Sequence, residues 1–513
     1  MESRCQAPFL HSATHVVIEP TVRVEKWCLA PTLHSPIVER MIQIATPLLA
    51  LLAACATFTA PPASEFDARF TGRVMRLDFF HTGHERMEVF ALDRLRVEGA
   101  WPGSRTQLID DSNLGKYLLE VFDPETGVTL YSRGFASIFG EWETTGEARD
   151  QEVRTFEEAL RFPEPQMPVQ VLVHKRDAAN EFREVWHVDV DPSSRHVARD
   201  FSVAGDVHEH GEVGDVATHV DLLFLGDGYV HDERSKFLSD VDQLADELFA
   251  IEPFKSRRGD FNVRSVFVAA RESGISNPRA GTFRDSPLGA SYNSLDSDRY
   301  VLSLADRRWR DAAAAAPYDH IIMLVNDRKY GGGGIFNLYS TASADSAFAG
   351  YLVVHEFGHH FAGLGDEYFT SQVAYEEFTP PDLEPWEPNI TALLDPDQLK
   401  WKDLVTPGTP LPTTWGLAEY ESTSLELQAR RAALRADGAP ESELESLFDH
   451  EQETMTALLG RQAGTVGAFE GAMYQARGLY RPAIDCIMFT RDPVGFCPVC
   501  ARAIDGVIDQ YAR

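Results

Sequence analysis

Residues 355–368 read HEFGHHFAGLGDEY. On a helix, residues four apart share a face, so His355 and His359 can offer two nitrogens to one zinc ion. Glu356 lies about 100° round the helix from His355, where it can serve a water held by the metal rather than the metal itself. The apolar run GYLVV at 350–354 suits a buried helix. Two histidines do not complete such a site, because a catalytic zinc takes three protein ligands and keeps one position open. Gly363 and Gly365 can end the helix and turn the chain back, which brings Asp366 and Glu367 into range. Asp366 comes first and has the shorter side chain, so it is the expected third ligand. Glu367 is the alternative; in an extended stretch its side chain points the other way, where it could instead brace a histidine. His360 lies about 140° from His355 and is read as packing. The competing reading is a buried polar helix face whose histidines are simply hydrogen-bonded.

The rest of the chain limits what such a site can serve. Its 513 residues exceed one ordinary core, so two or three domains are expected, and 44% hydrophobic content is that of a globular protein. A formal net charge of −32 argues against a nucleic-acid partner. No compact Asp-rich calcium loop accompanies that acidity, which is read as a device of solubility. MIQIATPLLALLAAC, from Met41 to Cys55, is apolar but short of the roughly 20 residues that span a bilayer, and has the size of a signal-peptide core. Its ending, Leu52-Ala53-Ala54-Cys55, resembles a bacterial lipoprotein signal, which implies lipidation at Cys55. Ala56 follows, which by the same resemblance favours the outer membrane; an ordinary cleaved signal, giving a secreted protein, is the alternative. A signal core lies near a chain's start, so translation is expected to begin at Met41, with residues 1–40 a leader or upstream of the true start.

Residues 56–69 read as a Pro/Ala tether. From 70 to 205, short alternating runs such as KYLLEVFDPETGVTLYSRGF and MPVQVLVHKR are broken by turns. This is the pattern of an all-β, sandwich-like N-terminal domain. From 215 to 513 the texture changes. HVDLLFLGDGY, NVRSVFVAA and YDHIIMLVND read as strands, and ERSKFLSDVDQLADELFAIEPF and the motif stretch read as helices. That alternation indicates an α/β or α+β domain. Residues 417–460, with Gly438-Ala439-Pro440 in the middle, read as an inserted helical hairpin. Gly331 to Gly334 are expected to form a tight loop beside the cleft, since no Lys-Ser/Thr follows to make a phosphate cradle.

Several segments, in order, resemble the IgA-peptidase family of bacterial zinc metallopeptidases: FLGDGY at 224–229, YDHIIMLVN at 318–326, YGGGGI at 330–335, the motif itself, FEGAMY at 469–474, YRPAIDCIMF at 480–489 and FCPVC at 496–500. The resemblance implies a metzincin-like zinc peptidase domain, with Met488 as the candidate methionine of the turn beneath the zinc. It departs from the wider group in spacing: the usual third ligand falls six residues after the second histidine, a position held here by Gly365.

Cys486, Cys497 and Cys500 group near the C-terminus, with one CxxC pair. A structural zinc usually takes four ligands, and an exported setting favours a disulfide, so Cys486 is expected to bridge to Cys497 or Cys500. Tyr368 and Tyr480 are hydroxyls that could serve an oxyanion or be buried structural groups. The expectation is an envelope-anchored zinc endopeptidase acting on proteins, with one catalytic Zn²⁺ and Glu356 as general base. A non-catalytic binding lipoprotein on the same scaffold, and a zinc hydrolase of peptidoglycan, are the alternatives.

Overall fold

A computed structural model of the protein describes residues 63–199, 205–370, 380 and 382–512. The expected address, Met41 to Cys55, lies outside them. Among the described residues no helix is long and apolar enough to cross a membrane.

The N-terminal half is built from period-two strands. In Tyr117–Asp123 every second residue is buried, beginning with Tyr117 and ending at Asp123, as one buried face of a pleat requires. The turn that follows is set by Asp123, whose carboxylate accepts from Glu125 N (2.9 Å) and whose carbonyl accepts from Gly127 N (2.9 Å). Two four-stranded sheets result. One runs Arg154–Pro165, Phe70–His84, Met87–Ala100, Val197–Ala198; the other runs Val128–Phe135, Tyr117–Asp123, Val169–Arg176, Phe182–Val190. Leu77, Phe79 and Val97 of the first share a core with Leu119, Val121 and Val171 of the second, which makes a sandwich. Two short helices, Ile138–Trp142 and Gly146–Arg149, interrupt the strands.

The C-terminal half centres on a six-stranded mixed sheet. Its order is Gly332–Ile335, Tyr339–Ser343, His320–Val325, Val220–Asp227, Phe261–Phe267, Asp206–Glu209. The central strands are parallel and buried along their whole length, as expected where both faces are covered. Helix Arg234–Leu248 lays Phe237, Val241, Leu244 and Leu248 on the same core as helix Ala349–Ala362. The latter ends at Gly363, which adopts φ 60° and donates to His359 O (3.1 Å); a Cβ there would sit in left-handed backbone and press on Trp386. Helices Leu417–Ala436 and Glu441–Leu459 form a hairpin, the strands Val466–Ala472 and Gln475–Ala483 follow, and helix Pro498–Tyr511 closes the chain's described part.

The two halves share a core. Phe139, Trp142 and Phe156 of the first cluster with Leu223, Trp309 and Tyr339 of the second. Arg76, fully buried, pairs with Asp78 (2.7 Å) and Glu98 (2.9 Å) of its own sheet and with Asp311 (2.7 Å) of helix Asp306–Ala313.

Candidate active site

His355 and His359 point from the buried helix Ala349–Ala362 toward the chain that returns after Gly363. Each ring is fixed from behind. His355 Nδ1 bonds to Ile487 O (2.9 Å) and His359 Nδ1 to Leu364 O (2.6 Å). Carbonyls only accept, so in both rings the proton is on Nδ1 and the Nε2 lone pair is free. The two Nε2 atoms lie 3.1 Å apart. Asp366 Oδ1 lies 3.2 Å from one and 3.1 Å from the other. With both rings neutral, three acceptors therefore face one another across one small space. Such a triangle is repulsive unless a cation sits in it. Its edges match the roughly 3.3 Å that separates ligands on a tetrahedral zinc at about 2.0–2.1 Å. The residues thus fit the metal.

The remaining oxygen of Asp366 accepts from the Tyr474 hydroxyl, and the Asp366 carbonyl accepts from Met473 N (2.9 Å). Tyr474 was not legible in the sequence, because it arrives from the distant strand pair Val466–Ala472 and Gln475–Ala483. Met488 lies in the turn after that pair, with its Sδ 2.9 Å from where a Cβ on Gly358 would stand. It therefore lies under the helix between the two histidines. Glu367 turns away from the triangle: its Oε1 accepts from Asn389 Nδ2 (3.0 Å) and faces Cys500 Sγ (3.3 Å). It braces neither histidine. His360 faces the opposite side, against His320 Nδ1 (3.0 Å) and Ile335 O (3.2 Å).

The electrostatics separate the two kinds of histidine. Burial lowers the His360 pKa to about 3, so it is neutral packing. Burial also acts on His359, but the Asp366 carboxylate outweighs it and holds the imidazole up at about 9; short of a metal, a proton is the guest the triangle prefers. Asp366 is held well below the usual carboxylate range despite its burial, by the two imidazoles. Burial pushes the Glu356 carboxyl up. That carboxylate lies within 4.8 Å of the ligand atoms of His355 and His359.

Gly331 to Gly334 do not form the expected loop. Gly332–Ile335 is an edge strand of the main sheet, antiparallel to Tyr339–Ser343. Glycine is required by close approach: a Cβ on Gly334 would lie 2.2 Å from Glu356 O and 2.9 Å from His359 Cβ. The strand's low intrinsic propensity hid it in the sequence.

Two cavities meet at Glu356. One, of about 940 Å³, lies between the site and the helical hairpin and is lined by His355, Tyr351, Leu425, Arg431 and Phe448. The other, of about 380 Å³, includes His359 and Asp366 and is walled by Lys116, Arg176 and Asn180 of the N-terminal half. Arg299, Tyr330 and Tyr368 line both. Tyr368 stacks on His355 with ring centroids 6.1 Å apart, and its hydroxyl accepts from Arg299 Nη2 (2.8 Å). Tyr480 lines neither cavity and pairs through its backbone with Thr391. The three cysteines come together as buried free thiols, with Cys486 and Cys500 Sγ 3.9 Å apart, rather than as a bridged pair.

Comparison with known proteins agrees with this architecture. The model described as IgA Peptidase M64 matches residues 209–508, and that described as Peptidase M64 N-terminus matches residues 65–187. No curated protein matches the chain. With the helix-borne histidines, the returning aspartate and most of the preceding sandwich inside those matches, the chain belongs to the M64 family of IgA peptidases.

Proposed function

We propose that this peptidase is an exported, zinc-dependent endopeptidase of metzincin-like fold, with His355, His359 and Asp366 as metal ligands and Glu356 as general base. The observation that carries the reading is the triangle of His355 Nε2, His359 Nε2 and Asp366 Oδ1, 3.1–3.2 Å on a side. A bound zinc supplies Lewis acidity, bringing the pKa of water to about 7 and polarising a carbonyl. Glu356 takes the proton of the attacking water and passes it to the leaving amine. The carboxylate is half-buried against the glycine strand and faces both cavities, where a substrate and the attacking water can reach it. Tyr368 accepts from Arg299, so its own proton is free for the oxygen that becomes negative on attack. The Met488 turn supports the metzincin-like reading. Cavities on both sides of Glu356 favour cleavage within a polypeptide over trimming of its ends.

The test is digestion of casein or gelatin with and without a chelator. Internal fragments should appear, vanish on chelation and return with zinc. Single residues released from the ends, or digestion indifferent to the chelator, would reject the reading. The intact Glu356 favours catalysis over a purely adhesive role.

The envelope address is a second part of the proposal and rests on the Leu52-Ala53-Ala54-Cys55 ending. Mass spectrometry of the native protein should find acylated Cys55 at the mature N-terminus. A soluble protein with another N-terminus would remove the anchor.

A further inference from the structure

Beneath the active site lies a second group of metal-ligating side chains that the proposed reaction does not use. Glu367, Cys486, Cys497 and Cys500 are all buried, and their ligand atoms lie within 4.8 Å of one another. They come from three separate stretches: the chain returning from the catalytic helix, the start of the Met488 turn, and the first turn of helix Pro498–Tyr511.

The distances are those of a shared ion rather than of a covalent bridge. Cys486 and Cys500 Sγ stand 3.9 Å apart, against about 2.05 Å in a disulfide and about 3.8 Å between two sulfurs on a tetrahedral zinc at roughly 2.3 Å. Cys500 Sγ to Glu367 Oε1 is 3.3 Å, close to the roughly 3.5 Å expected for a sulfur and an oxygen on the same ion.

Burial pushes the Cys486 and Cys500 thiols up, so they ionise only against a counter-charge such as a cation, and several groups already favour negative charge there. Cys497 N points at Cys486 Sγ (3.3 Å) and Cys500 N at Cys497 Sγ (3.5 Å), so backbone donors face two of the sulfurs. Cys497 is the N-cap of a 14-residue helix, where negative charge is favoured. The buried guanidinium of Arg481 acts electrostatically on both Glu367 and Cys486.

A disulfide would leave this cluster unbalanced. It would consume two thiols and leave the third beside a carboxylate whose Oε2 is fully buried and has no partner. A four-coordinate cation uses all four side chains, and Glu367 supplies the ligand that a lone CxxC plus one cysteine lacks.

We propose that Glu367, Cys486, Cys497 and Cys500 form a structural zinc site, distinct from the catalytic triangle, that ties together the three segments supporting it. Asp366 is the residue before Glu367. Ile487, whose carbonyl orients His355, is the residue after Cys486. The second ion would therefore fix the third catalytic ligand and a histidine's brace at the same time. On loading, the thiols release their protons to solvent and the site closes, with no position left for water.

The experiment counts metal in the full-length protein and in a His355→Ala/His359→Ala double variant, which removes the catalytic triangle whether or not that site is what we take it to be. Wild type should hold two zinc equivalents. The double variant should keep one, with X-ray absorption showing sulfur neighbours at about 2.3 Å. Substituting cobalt into the double variant should give thiolate-to-cobalt charge-transfer absorption. Glu367→Ala in the same background should weaken retention against a chelator by at least the roughly 10–100-fold that losing an outer hydrogen-bond partner costs. A double variant without zinc, an ion with only nitrogen and oxygen neighbours, or a native mass lighter by two hydrogens from a disulfide would each overturn the site. Loss of peptidase activity alone would bear on the catalytic triangle and not on this one.

Discussion

Glu356→Ala is expected to lower peptide hydrolysis by about 10²–10⁴-fold, the usual contribution of a general base, while the protein stays folded with its metal content unchanged. The three atoms that converge in the proposed metal site belong to His355, His359 and Asp366, so the substitution removes none of them. Nor does it open the fold: the carboxylate lies against the glycine strand, with Oε1 3.3 Å from where a Cβ on Gly332 would stand, and methylene and carboxylate are lost without a new clash. Relief of a buried carboxylate offsets part of the lost packing. The measurement is kcat/KM on a peptide, paired with metal analysis of the same preparation. Full activity would show that another group moves the proton. Loss of metal along with activity would show that Glu356 is a ligand.

Asp366→Ala should act the other way, on the metal first. On the proposed assignment it removes one of three ligands and the carboxylate charge that would balance the cation. Activity should collapse after dialysis against a mild chelator and recover only in excess zinc. Tyr474→Phe should fall between this variant and wild type, because it removes only the hydroxyl that holds the far oxygen of Asp366; such partners typically contribute about 10–100-fold in metal affinity. If Asp366→Ala keeps its zinc under dialysis as the wild type does, the third ligand lies elsewhere.

Much of this site was legible because its parts are close in sequence. The spacing of His355 and His359, the helix stop at Gly363 and the alternation of Asp366 and Glu367 are local facts, and local geometry carries them into the structure. Tyr474 and Arg299 could not be read the same way, since only tertiary packing brings them to Asp366 and Tyr368. The strand Gly332–Ile335 was hidden for a different reason. Its glycines serve the helix that crosses them, and sequence propensity registers only the strand's own backbone. Glu367 was weighed as a zinc ligand or a histidine brace, and its contact with Cys500 was invisible because the partner belongs to the last helix. In the N-terminal half, alternation marked the strands, yet the short helix Ile138–Trp142 was passed over. Its apolar residues Ile138, Phe139 and Trp142 share one helical face that packs on the other half's core, but a five-residue element is too short to show the helical period among the surrounding strands.

The buried Arg76 network and the common core give the two halves unequal freedom to change over evolutionary time. Sequence drift at their contact is constrained, because a lost partner would strand a buried charge. Drift at the rim strands no buried charge of that network: Lys116, Arg176 and Asn180 stand on the sandwich's outer turns and strand ends and line one end of the cleft. On the proposed function, substitutions on the sandwich side of the cleft would reshape one wall of the substrate path while leaving the histidine-bearing helix untouched.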